Sequence, residues 1–333
     1  MDKEQEELQF LGFNGICKES MKLIITFSKI FTSITFSLIL PLSFIFLLHM
    51  FISNLLSSKI IHNEQTLDRT QEGTPAFDNI STIISSELTA YWLIKAAYFT
   101  FLLIISLLST AAVVYTVASV YTAKDTTYKK VMAVVPKVWK RLMVTFLWSF
   151  AVVLFYHILL FPVVIIWALF YRGGEAGKTI LALIIVFYFL GLVYISMIWQ
   201  LAGVISVLEE RKGFQAMKKS KDLIKGKMGV SFAIFLILNL CLGLIQFMFK
   251  HLFERDDWSV WIGVKVGLGV IILNLLSMIF LFQLVVQTVI YFVCKSYHHE
   301  NIDKHSLADH LEVYLGDYVP LKAQDIQLEQ VYV

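Results

Sequence analysis

This sequence predicts an all-α, polytopic membrane fold. Six transmembrane helices are expected, arranged as three repeats of an interfacial amphipathic helix plus a transmembrane hairpin. Three observations lead there. The chain of 333 residues is 58% hydrophobic and only 16% charged, with mean hydropathy +0.72, whereas a soluble domain carries about a quarter charged residues. The apolar residues fall in six long windows free of Asp, Glu, Lys and Arg. Basic, half-apolar segments of similar sequence recur ahead of alternate windows.

Residues 1–29 form a cytosolic N-terminal amphipathic segment. Their nine charged residues precede the first apolar run, so no cleavable signal peptide is expected and the first helix inserts as its own anchor. The transmembrane domain spans residues 30–294. Its windows are Ile30–Ile52, Ala96–Tyr121, Leu142–Tyr171, Ile180–Leu208, Met228–Phe249 and Val266–Cys294. Each reaches the ~20 residues a helix needs to cross the hydrocarbon core. None alternates polar with apolar, as the strands of a barrel would. Pro41 and Pro162 fall within the first and third windows, where kinks are expected. Residues 295–333 form a cytosolic C-terminal tail.

Positive charge in short loops sets orientation. Lys124, Lys129, Lys130, Lys137, Lys140 and Arg141 join helices two and three, and the connection between four and five runs from Arg211 to Lys227 with seven basic residues. The opposite loops are poorer: Ser53–Tyr91 has Lys59 and Arg69 against five acids, and His251–Trp261 has Arg255 against three. Both basic loops and both termini are therefore expected in the cytosol. Asn79-Ile80-Ser81 is a glycosylation sequon in the first lumenal loop. The chain does not end in a retention signal of the Lys-Asp-Glu-Leu kind, which leaves the endoplasmic reticulum and the plasma membrane both open.

The repeat is visible in Lys18-Glu-Ser-Met-Lys-Leu-Ile24 and Lys218-Lys-Ser-Lys-Asp-Leu-Ile224, with Gly12-Phe13 and Gly213-Phe214 upstream. Tyr128–Arg141 is the middle copy. Such segments lie in the headgroup layer and attract anionic lipid. Lys129, Lys130, Lys137, Arg141, Lys218, Lys219, Lys221 and Lys225 are the candidate headgroup contacts, although fixing topology alone would account for them.

Other motifs carry less. Arg172-Gly-Gly-Glu-Ala-Gly-Lys-Thr179 has Arg172 where a phosphate-binding loop needs Gly, and it lies in a turn between membrane helices, so its glycines read as turn residues. Four of the eight histidines sit in the tail (His298, His299, His305 and His310), and the rest lie on the far side or in the bilayer. They predict no metal centre, and no cofactor is expected. Cys17 and Cys294 stand at the cytosolic interface, where palmitoylation is a candidate modification. Inside the windows, His157 and Asn239 fall near mid-depth, with Gln200 and Gln287 sharing a level nearer the cytosol. They form a candidate polar cluster, read either as interhelical packing or as a substrate path. No span carries a carboxylate, which disfavours proton- or sodium-coupled transport.

Glu6-Glu-Leu-Gln-Phe-Leu11, and Leu40-Pro-Leu-Ser-Phe44 running on to His49, resemble a plant-specific family of six-span membrane proteins. Members of that family are sometimes labelled as binding partners of a polyadenylate-binding protein. The resemblance covers the whole chain in spacing and basic loops. It implies a six-span membrane protein, and its motifs are structural, so no functional residue carries over. The layout is also similar, in architecture alone, to the membrane domain attached to some bacterial glycerophosphodiester phosphodiesterases, whose catalytic domain has no counterpart in this chain.

The expected function is a non-enzymatic scaffold or lipid-associated adaptor of the endomembrane system, with membrane lipids (anionic ones included) and a protein at the cytosolic face as partners. A net charge of +3 is too small to argue for nucleic acid. Two alternatives stay open: a carrier or channel for a small solute or lipid, and a membrane-embedded lipid-metabolising enzyme without a recognisable motif.

Overall fold

The charge-free windows all fold as helix. The computed structural model describes residues 5–122, 126–170, 174–254 and 262–299, and its regular structure is entirely helical. Lys124, Arg172, Arg255–Trp261 and the tail beyond His299, with His305 and His310, lie outside the described residues. In chain order the helices are α1 (Gln5–Leu8), α2 (Phe13–Thr26), α3 (Ser28–Ile34), α4 (Leu40–Asp68), α5 (Pro75–Tyr121), α6 (Tyr128–Phe170), α7 (Glu175–Leu208), α8 (Phe214–Leu223), α9 (Met228–Glu254) and α10 (Ile262–Tyr297). A π-helical turn, Thr35–Ile39, joins α3 to α4 so that the first span is continuous. Among the described residues, six helices are long and apolar enough to cross a membrane. The protein is a multi-pass, all-α membrane protein.

The π turn has a local cause. Pro41 has no N–H to give the carbonyl four residues back, and its ring crowds that turn. The widened turn immediately before it absorbs the misfit. Ser37 and Ser43 hydroxyls donate to the carbonyls of Ile34 and Ile39 at 3.3 and 2.9 Å. Pro136 and Pro162 are instead accommodated within the uninterrupted α6.

The repeat is expressed with one variation. In the first unit, α2 breaks from α3 at Phe27, which leaves helical geometry at φ −105° and ψ 33°. In the third, α8 breaks from α9 at Gly226, whose φ of +92° is left-handed. In the middle unit the amphipathic segment and the span are one continuous helix, α6. The residues between Ser53 and Tyr91, expected as a loop, are helical except around the turn after Asp68. Thr74 caps α5 by accepting from the Phe77 amide at 3.3 Å, and Pro75 occupies its first turn. Asn63 Nδ2 donates to Glu87 at 2.8 Å and ties α4 to α5 there.

The second spans of the three units, α5, α7 and α10, contact one another and form the centre. Ala111–Ser119, Leu201–Leu208 (except Gly203) and Val285–Cys294 are fully buried. Water is absent from a bilayer core, so helix association there rests on close packing and hydrogen bonds. Ala111, Ala112, Ala118, Ala202 and Ser206 supply small surfaces for close approach. Large apolar side chains such as Phe155, Phe161, Phe187, Phe247 and Met278 point outwards, where lipid tails solvate them.

Candidate functional site

Two features stand apart from bundle packing: a basic end and an internal cavity. Odd-numbered spans all start at one end of the bundle, so α2, the first turns of α6, and α8 share that end. Each docks through a buried stripe at helical spacing, apolar on α6 and mixed apolar and polar on α2 and α8. α2 buries Ile16, Glu19, Ser20 and Leu23, while α8 buries Ala216, Met217, Ser220 and Leu223. The start of α6 buries Val131, Val134, Val135 and Val138. α2 packs on α10 and α8 on α7. The second contact is fixed by Ser220 Oγ, which donates to the Ile198 carbonyl at 2.8 Å. His298 Nε2 sits 3.0 and 2.9 Å from the carbonyls of Leu223 and Lys225, closing the C-terminus of α8.

The docked stripes turn the basic residues outwards. Lys129, Lys130 and Lys137 on α6, with Lys218, Lys221 and Lys225 on or just after α8, are exposed, while Arg141 and Lys219 are half-buried. Lys225 pairs with Asp222 at 2.7 Å. That hydrogen bond, reinforced by the lysine's charge, holds the Asp222 carboxyl below its ordinary range, and Lys218 and Lys221 add to the effect. Just inside this surface, Tyr291 Oη donates to Glu209 Oε1 at 2.8 Å, and Lys295 Nζ lies 3.5 Å from the same oxygen. This partly buried network ties the end of α7 to α10.

A cavity of about 310 Å³ opens inside the bundle, lined by residues of all six spans. Its polar groups come mostly from the three central helices, each giving a pair four residues apart. Ser106 and Thr110 lie on α5, Ser196 and Gln200 on α7, and Gln283 and Gln287 on α10. Gln283 Nε2 donates to Gln200 Oε1 at 2.9 Å, and Gln200 Nε2 donates to Ser196 Oγ at 2.9 Å. Thr145 on α6 completes the lining, but its hydroxyl is engaged with Ser206 Oγ at 2.6 Å and the Gly213 amide at 2.8 Å. Gln287 is 2% exposed, and its amide has no hydrogen-bond partner among the described residues. Among the described residues the lining contains no charged or titratable side chain.

Of the candidate polar cluster, Gln200 and Gln287 meet at this cavity. His157 faces outwards, with Nδ1 2.6 Å from the Val153 carbonyl of its own helix and its ring edge-on to Tyr188. Asn239 is half-buried and donates to the Phe235 carbonyl at 2.7 Å. Neither lines the cavity. Asn79 is exposed in the first turns of α5. Cys294 is fully buried and Cys17 half-buried, and burial pushes the Cys17 thiol up from its usual value. Gln283, legible in the sequence as a polar residue inside a span, was outside the candidate cluster, and Ser196, Ser106 and Glu209 were not singled out by sequence reasoning. The signal for the first two was the i, i+4 spacing of Ser196 with Gln200 and of Gln283 with Gln287. Nothing in the sequence links Glu209 to Tyr291.

No curated protein and no solved structure is similar to this chain. A family profile matches residues 1–331. The chain accordingly belongs to the DUF8558 family, which is described as a domain of unknown function.

Proposed function

We propose that the protein is a non-enzymatic membrane scaffold of the endomembrane system. Its basic end, facing the cytosol together with both termini, holds anionic lipid headgroups and docks a protein partner. The observation that carries this reading is the common location of three amphipathic segments, each docked by its buried stripe with lysines turned outwards. Near a membrane surface each such lysine contributes roughly 1 kcal/mol of attraction to anionic lipid. The endoplasmic reticulum and the plasma membrane, whose cytosolic leaflets carry anionic lipid, both fit. The resemblance to plant six-span proteins adds a plant origin to the proposal.

The test is native mass spectrometry of protein purified from mixed micelles of equal phosphatidylglycerol and phosphatidylcholine. Retained lipid should be enriched in phosphatidylglycerol. The triple variant Lys218→Glu, Lys221→Glu, Lys225→Glu should lower that enrichment to the bulk ratio. Equal retention of both lipids by the unaltered protein would refute the headgroup role.

The cavity favours a second reading, a carrier or channel for a small neutral solute or lipid. Flux through proteoliposomes that is abolished by a cavity variant, with folding intact, would select it over the scaffold.

A further inference from the structure

The central cavity has the features of a ligand site, and the ligand's chemistry can be read from its walls. Buried amides are normally hydrogen-bonded; leaving one without a partner costs about 1–3 kcal/mol. The Gln287 side chain is 2% exposed and lines the cavity. Its amide is not among the fully enclosed side-chain atoms without a partner, so it reaches the cavity space rather than a sealed wall. In a purely structural role this position would be cheaper as leucine, since a lipid-embedded bundle gains nothing from an unpaired amide. Gln287 therefore offers the cavity an amide that no other described residue engages.

The remaining lining limits what that partner is. With no charged or titratable side chain among the described lining residues, a carboxylate, phosphate or ammonium would be desolvated without compensation. The ligand's polar part is uncharged. Gln200 bonds to Gln283 and to Ser196, but the Gln200 and Gln283 amides each keep further donor or acceptor capacity. With Ser106 and Gln287, that capacity comes from three separate helices, more than one isolated hydroxyl would meet. Several hydroxyls on one head would meet them together. The rest of the wall is apolar, including Leu42, Phe46, Trp199 and Phe280, and suits a hydrocarbon portion. About 310 Å³ is at the small end of ligand pockets, enough for a compact head and the first part of one chain.

We infer that the cavity ringed by Gln200, Gln283 and Gln287 binds the uncharged, multiply hydroxylated head of a neutral lipid, with Gln287 as the group that hydrogen-bonds it. This site is independent of the basic end. It stands or falls whether or not anionic headgroups bind there.

The experiment uses the full-length protein in nanodiscs of phosphatidylcholine and a monoacylglycerol bearing a diazirine near the head. Crosslinked peptides are located by mass spectrometry. The expected result is labelling within Ser196–Gly203 and Phe280–Gln287, competed by excess unlabelled monoacylglycerol. Labelling should be constant from pH 5 to pH 9, because nothing in the wall titrates. Gln287→Leu should reduce it about tenfold, the equivalent of one lost hydrogen bond to a buried group, while the melting temperature stays level or rises. Gly203→Leu fills the cavity from a second direction and should abolish labelling. Labels confined to outward residues such as Phe155 and Phe187, or cavity labels that unlabelled lipid does not compete, overturn the proposal. So does a Gln287→Leu variant that melts earlier yet labels normally, since the amide would then serve packing. If neither variant folds, competition in the unaltered protein decides alone.

Discussion

Thr145 and Gly226 show how much a single side chain settles at the basic end. The Thr145 hydroxyl meets Ser206 Oγ and the buried Gly213 amide, so one atom joins α6, α7 and the turn into α8. Valine has the same shape without the oxygen. Thr145→Val should lose about 1–3 kcal/mol, the cost of an unsatisfied buried amide, and show an earlier fluorescence melt in detergent. An unchanged melt would mean that another group satisfies Gly213. Gly226 is left-handed, and a Cβ there would overlap the Tyr297 ring. Gly226→Ala combines a conformational cost of roughly 1–2 kcal/mol with that overlap. Poor yield of monodisperse protein is the expected outcome, checked by gel filtration. Cys17 gives a pH prediction. Burial raises its thiol, so less thiolate exists at a given pH than for a free cysteine, whose pKa is about 8.5. Its alkylation rate, followed peptide by peptide, should reach half-maximum above that value; a midpoint at or below it would contradict the burial.

Helices α2 and α8 are the units in which the lipid reading can be tested. Both are short and lie on a second span of another unit, α10 and α7 respectively, so neither is held by its own propensity alone. Polar and charged residues dominate the outward face of α8, at Lys218, Lys221 and Asp222. Reversing Lys218, Lys221 and Lys225 should leave the melting temperature nearly unchanged, because exposed charges contribute little to stability. The same variant should lose phosphatidylglycerol enrichment. A large drop in stability would instead assign these lysines to holding α8 in place. The middle unit is a useful contrast: α6 has no hinge between its basic turns and its span, so its lysines cannot move independently of the bundle.

The whole molecule poses the question of sidedness. α4 and α5 continue as a helical hairpin past the first apolar window, and Asn79 lies 17 residues before Ala96 on α5, about 25 Å along a helix. If that end faces the lumen, Asn79 should carry a glycan in a eukaryotic host. The gel shift should then disappear in Asn79→Gln and on glycosidase treatment. Lys124→Asn creates a sequon with Thr126 in the connection between α5 and α6 and should stay unmodified. Modification of the second site and not the first would invert the topology and place the basic end away from anionic cytosolic leaflets.

What the sequence alone determined is the number and nature of the spans. A bilayer core offers no water to backbone groups and has a fixed thickness, so membrane helices are written locally, in windows of charge-free residues. The amphipathic segments were legible for the same reason, since Ile16, Ser20 and Leu23 repeat as Ala216, Ser220 and Leu223. The hairpin beyond the first window was not, because its mixed Ser, Thr and charged residues read equally as loop. Only the tertiary structure decided which polar residues share a space. Gln200 and Gln287 met while His157 and Asn239 did not, although all four are polar groups in apolar helices. Depth follows from position in the sequence, but the direction a side chain faces depends on each helix's rotation against its neighbours. That rotation is fixed by packing at Ala112, Ala202, Val286 and their partners across the whole bundle, information that no single window of sequence contains.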